Sequence, residues 1–165
     1  MKNLRERVRI SYALRRVPEG NFVQIIEPPR EPRTGDIVGA EVVNSCKSAR
    51  LELKSGRCCS LHTGDQIAAV FGNRYATMQF EGYATSDGEY CDLLSTSGLC
   101  GTVASRHAKT PEPTKLRLIG AMGDEAGIPL RLSQYRLRRE LRLCGAAEPS
   151  SCVAQPWTVA KRTRS

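Results

Sequence analysis

Thr34-Gly35-Asp36 recurs unchanged as Thr63-Gly64-Asp65, and each copy leads into an apolar run. The first run is Ile37-Val38-Gly39-Ala40-Glu41-Val42-Val43; the second is Gln66-Ile67-Ala68-Ala69-Val70-Phe71-Gly72. An offset of 29 residues is about the length of a two-strand unit with its turns, so the repeat predicts two related β-units closing one small pseudo-symmetric barrel or sandwich. Glycine supplies the backbone freedom for a sharp entry. Aspartate can bond the backbone two residues on and fix the turn before strand pairing begins.

The chain has 165 residues and a hydrophobic content of 40%, enough for one domain with a real core. No run approaches the roughly 18 consecutive apolar residues of a membrane span. The start, Met1-Lys2-Asn3-Leu4-Arg5-Glu6-Arg7, has no apolar stretch behind its basic residues and does not read as a secretory signal. Seven cysteines are an odd number without the spacing of a disulfide framework. The expectation is a cytoplasmic protein with reduced thiols.

Hydrophobic periodicity predicts strands over 36–43, 49–54, 57–61, 66–72, 78–84, 90–95, 100–104 and 115–121, with a further short one at 22–26. Residues 7–14 fit helical and alternating spacings; the β-branched residues fall on the alternating set and favour a strand. Ser55-Gly56 and Ser86-Asp87-Gly88 read as hairpin connections. Glu27-Pro28-Pro29-Arg30-Glu31-Pro32-Arg33 reads as a stiff linker, since proline fixes φ and donates no ladder bond. Ser133 is a candidate cap for a helix over 134–144, carrying Leu137, Leu141 and Cys144 on one face. The expected organisation is an arm and linker over 1–33, a β-domain over 34–130, a helix over 131–145 and a basic tail over 146–165.

The formal charge of +8 is unevenly spread. Residues 1–33 hold eight Lys/Arg against four Asp/Glu, residues 34–130 nine against eleven, and residues 131–165 eight against two. The flanks are basic and the predicted β-domain slightly acidic. A domain gripping phosphates with its own strands places the positive charge there, so this distribution disfavours that mode and leaves the flanks as the alternative nucleic-acid surface, through Arg138, Arg139 and Arg142.

Cys58-Cys59-Ser60-Leu61-His62 brings two thiols and an imidazole close in sequence. Adjacent residues of a strand point to opposite faces, so one metal site receives at most one of those cysteines, and no second close pair completes a tetrahedral set. The reading adopted is that of small hydrophobes on strands, with neither metal nor cofactor. A Cys–His nucleophile and base, drawn from Cys58 or Cys59 with His62 or His107, is the enzymatic alternative. No Gly-x-x-x-x-Gly-Lys-Ser/Thr loop is present, and the few aromatics do not alternate with basic residues as a stacking platform requires.

The most distinctive polar stretch is Gly72-Asn73-Arg74-Tyr75-Ala76, directly after the second repeat unit. Arg74 offers a planar donor fork for an anion and Tyr75 an amphipathic anchor. Arg106-His107, ahead of the rigid Thr110-Pro111-Glu112-Pro113-Thr114, forms a second basic loop. Asn73, Arg74, Tyr75, Arg106 and His107 are therefore the candidate ligand or partner residues. The plainer alternative is that Arg74 braces the fold by pairing with Asp65 or Glu81.

Gly35-Asp36-Ile37-Val38, the Leu51–Gly56 hairpin, Gly64-Asp65, Gly72-Asn73-Arg74-Tyr75-Ala76, Gln79-Phe80-Glu81 and Pro113-Thr114 together resemble the β-rich N-terminal domain of a group of bacterial proteins that carry a P-loop nucleotide-binding domain after it. The resemblance covers about residues 34–130. This chain departs from that group where the P-loop domain would begin, so no nucleotide chemistry carries over. The resemblance implies a stand-alone accessory domain acting beside a separately encoded enzyme. The leading expectation is thus a non-enzymatic β-barrel module for a partner protein or small anionic ligand. Nucleic-acid binding through the flanks comes second and a Cys/His enzyme third.

Overall fold

The computed structural model describes residues 8–29, 31–45 and 49–137. Its strands are β1 (Val8–Ile10), β2 (Gln24–Ile26), β3 (Ile37–Asn44), β4 (Arg50–Glu52), β5 (Cys58–Ser60), β6 (Gln66–Phe71), β7 (Arg74–Tyr75), β8 (Phe80–Tyr83), β9 (Tyr90–Leu93), β10 (Leu99–Arg106) and β11 (Thr114–Gly123). Helical structure is confined, among the described residues, to short 3-10 turns at Tyr12–Leu14, Glu19–Asn21 and Leu132–Tyr135. The fold is mainly β, built on one large mixed sheet in the order β1-β6-β3-β11-β9-β10-β8-β7. β10 also returns to β6, pairing parallel through Leu99 opposite Val70 and Cys100 opposite Phe71. The pairings therefore run in a ring through β6, β3, β11, β9 and β10.

The repeat governs the centre of this sheet. β3 and β6 pair antiparallel with Ile37 opposite Val70, Gly39 opposite Ala68 and Glu41 opposite Gln66. A shift of 29 residues exchanges the outer two of these pairs and returns Gly39–Ala68 to itself, so a local two-fold passes between Gly39 and Ala68. The turns obey the same symmetry. Gly35 N–H donates to Phe71 O at 2.8 Å, and Gly64 N–H donates to Val42 O at 2.8 Å. In return Phe71 N–H donates to Asp36 O and Val42 N–H to Asp65 O, both at 2.9 Å. Each turn closes the far end of the other unit's strand. Both glycines have positive φ, +95° and +91°, where a side chain is strained.

Both apolar runs are buried on both faces, which explains why they lack polar alternation. Val38, Ala40, Val42, Ile67, Ala69 and Phe71 face a core inside the ring with Leu51, Cys91, Cys100 and Leu116. Ile37, Ala68 and Val70 face a second core, closed by Val8, Leu14, Val17, Phe22, Met122 and Leu130. Residues before the Pro-rich stretch and residues after 129 thus cover the same outer face of the β3–β6 pair.

Three local expectations change. Over 7–14 the two periodicities are each used once: β1 extends alongside β6, and Tyr12–Leu14 then winds into a 3-10 turn that buries Leu14. Ser86-Asp87-Gly88 is a tight turn but not a hairpin, because β8 and β9 lie on opposite sides of β10. Asp87 Oδ1 accepts from the amides of Glu89 and Tyr90, which fixes the turn locally whatever the strands do.

The predicted helix over 134–144 does not begin where Ser133 would cap it. Leu132 N–H donates to Gly35 O at 2.8 Å, and Arg131 bridges to Asp36 as in a strand. These bonds hold the segment extended against the first turn. One 3-10 turn follows, and Arg136 is extended again (φ −65°, ψ 147°). Leu141, Cys144 and the remainder of that expectation lie outside the described residues, as do Arg138, Arg139 and Arg142.

Candidate functional site

β7 and β8 form a small hairpin, Arg74 opposite Gly82 and Tyr75 opposite Glu81. Its reversal is tight: Gln79 N–H donates to Ala76 O at 3.0 Å. Met78 occupies the left-handed region at φ +60°, uncommon for a residue with a side chain, and is 69% exposed. β8 pairs in turn with β10, with Phe80 opposite Arg106.

Gln79 joins the two predicted loops. Its Oε1 accepts from Arg74 Nη2 at 2.6 Å, and its backbone carbonyl accepts from His107 N–H at 3.0 Å. Thr110 Oγ1 donates to Met78 O at 3.0 Å, and Arg106 Nη1 donates to Thr110 O at 2.6 Å. The five sequence-predicted residues are therefore brought together at one end of the sheet, but in different roles. Asn73 turns inward, its Oδ1 accepting from Ala84 N–H at 2.8 Å. His107 Nδ1 accepts from Lys109 N–H at 3.3 Å and shapes its own loop. Arg106 fastens the same loop. Tyr75 stands out from the hairpin, 78% exposed.

Arg74 alone of the five lines a cleft, one of about 340 Å³. Phe80, Leu93 and Leu94 supply its apolar surface, the Thr110–Thr114 segment one wall, and Arg50 is a second arginine in the lining. Arg74 donates to Leu94 O as well as to Gln79. Neither Asp65 nor Glu81 is its partner. Asp65 pairs with Arg9 at 2.9 Å, and Glu81 accepts from Tyr83 Oη at 2.6 Å and Ser105 Oγ at 3.0 Å. Those two hydroxyls, Tyr83 foremost, hold the Glu81 carboxyl below its ordinary range. The charge of Arg74 is thus oriented by two neutral acceptors and has no carboxylate partner among the described residues. Arg50, exposed on β4, forms no ion pair there either. The one carboxylate in the lining is Glu112.

Arg50 was not foreseen. Its charge is ordinary in a strand reading Arg50-Leu51-Glu52, where Leu51 turns inward and its neighbours outward. Nothing local shows that this edge meets the Thr110–Thr114 wall.

Three of the described cysteines pack as the expected small hydrophobes on strands, Cys91 and Cys100 in the core and Cys59 against it. Cys58 is exposed and Cys59 half-buried, while Cys91 and Cys100 are buried; all four are free thiols. Burial raises the Cys100 thiol well above its usual range, with a hydrogen bond to Cys91 adding to the effect. Cys59 Sγ lies 3.7 Å from Arg9 Nη1, whereas His62, 77% exposed, faces Asp65 across 3.7 Å.

The chain matches no protein-family model, no curated protein and no solved structure.

Proposed function

We propose that this chain is a small barrel module that binds an anionic ligand in the cleft between the β7–β8 hairpin and the Thr110–Thr114 wall. The ring of strand pairings supports reading the sheet as a barrel. The observation that carries the functional reading is the pair Arg50 and Arg74, two arginines in the lining of one cleft without a carboxylate partner among the described residues. A cation left unneutralised beside apolar side chains gains most when an anion of matching geometry arrives, because planar bidentate contacts are stronger than water's and the floor excludes competing solvent. Arg74 is held by Leu94 O and Gln79, so little side-chain freedom remains to be lost on binding.

The partner-protein variant of this reading rests on Tyr75 and Met78, which project beside the same cleft and suit an acidic segment of a larger ligand. Both variants share the cationic centre. The Cys/His alternative has less behind it, since His62 faces Asp65 while Arg9 is the cation beside Cys59.

Calorimetric titration of the full chain with phosphate, a dicarboxylate and an acidic peptide tests the proposal. At least one should bind, and Arg50→Glu should weaken it by tenfold or more, about 1.4 kcal/mol. Binding unaffected by Arg50→Glu, or no heat with any of the three, refutes it. Arg50 is the cleaner position because Arg74 also satisfies a backbone carbonyl.

A further inference from the structure

A second cleft, of about 270 Å³, lies where the two basic flanks meet. Ala13, Arg15 and Arg16 enter it from the first 3-10 turn and the residues after it; Leu132, Tyr135 and Arg136 enter from the last. The second core dictates this meeting. Leu14 and Val17 on one side and Leu130 on the other are buried against the same face of β3 and β6, and the arginines between them are left outside.

Three arginines and no carboxylate line this cleft. The acidic residues of the surrounding segments are engaged elsewhere: Asp36 with Arg131 at 3.0 Å, Glu19 with Lys54 at 3.5 Å and Asp65 with Arg9 at 2.9 Å. Arg15 stacks over Tyr12, 4.6 Å from the ring centroid, which orients its guanidinium without neutralising it. Arg15, Arg16 and Arg136 have no carboxylate partner among the described residues. Tyr135 is half-buried, and its hydroxyl accepts from Asn21 Nδ2 at 2.8 Å, which fixes the ring in place. The sequence adds Arg138, Arg139 and Arg142 directly after Arg136, so the positive charge continues along the chain.

We infer that this cleft holds the phosphodiester backbone of a single-stranded nucleic acid. A lone phosphate accounts for the three arginines of the cleft but not for the further arginines that follow Arg136 in the sequence, whereas a polyanion accounts for both. Guanidinium forks match phosphate oxygens, and an oriented tyrosine ring offers a face for an unstacked base. A small concavity admits the phosphates of a flexible strand more readily than those of a stiff duplex. The acidic balance of the β-domain does not oppose this, because the carboxylates flanking the cleft already carry cations.

Fluorescence anisotropy of the full chain with a labelled 20-nucleotide single strand, measured across a salt series, decides the matter. The expected result is micromolar affinity near physiological salt. In the triple variant Arg15→Ala, Arg16→Ala, Arg136→Ala, affinity falls at least tenfold and the log–log salt slope shrinks by about 2, near 0.7 for each lost phosphate contact. The triple variant should stay folded, with a melting temperature only slightly below that of wild type, since these side chains form no ion pair among the described residues and Arg15 loses its stacking on Tyr12. An unaltered affinity in the triple variant overturns the inference, as does tighter binding to the matching duplex. Competition by inorganic triphosphate at concentrations equal to the strand overturns it too, marking a site for small phosphates.

Discussion

Asp36 and Asp65 show how one residue type does the same work twice. Each accepts from the amide three positions earlier, Arg33 N–H at 2.9 Å and His62 N–H at 2.8 Å, and each faces an arginine from a distant segment, Arg131 or Arg9. The glycine before each aspartate makes the geometry possible. A Cβ on Gly64 meets no atom within 4 Å, so its replacement tests the backbone alone. Gly64→Val should cost roughly 1–3 kcal/mol, lowering the melting temperature by roughly 3–10 °C. An unchanged melting temperature removes the conformational reason for glycine at this turn. The turn itself was legible in the sequence from its glycine, but each aspartate bonds back to the amide three positions earlier and not onward to the backbone two residues on. The arginines opposite the aspartates were not legible, since pairing partners 56 and 95 residues away leave no local trace.

At the scale of elements, β8 and β10 are joined by more than their ladder. Glu81 accepts from Tyr83 on its own strand and from Ser105 on the next. These bonds lower the Glu81 carboxyl and raise the Tyr83 phenol, in which the bond to Glu81 is the largest cause. A depressed carboxyl stabilises the fold above the ordinary glutamate range and loses that contribution as pH falls through the folded value. A raised phenol stabilises below the ordinary tyrosine range and loses its contribution as pH rises through the folded value. Melting curves of wild type and Glu81→Gln should therefore differ most near neutrality and converge only as pH falls below the ordinary glutamate range or rises above the ordinary tyrosine range. A difference independent of pH excludes titration of this pair as its source. The main strands followed from periodicity, but the burial of β3 and β6 between two cores did not. The order of β8, β9 and β10 did not, because Ser86-Asp87-Gly88 makes the same local turn whether or not its flanking strands pair. The start of the C-terminal helix was misread for a related reason: Leu132 and Arg131 bond to Gly35 and Asp36, and those bonds outweigh the capping tendency of Ser133.

For the whole molecule, the β3–β6 pair organises what lies on either side of it. Its inner face fills the ring, and its outer face gathers the described parts of both flanks, so Arg15 and Arg16 from one meet Arg136 from the other. Composition made the basic flanks visible, and no local pattern said that they converge. The crossed closure of the two turns has a kinetic consequence. Gly35 N–H and Gly64 N–H each bond to the end of the strand belonging to the other unit, so neither unit retains its closing bond when the other opens. The two halves form one cooperative unit, and their amides should exchange with solvent deuterium at matching free energies of opening, near that of global unfolding. Gly64→Val should then accelerate exchange at Gly35, in the turn it never touches, by the same factor as at Asp65. Faster exchange confined to the mutated turn means that each unit can open without the other.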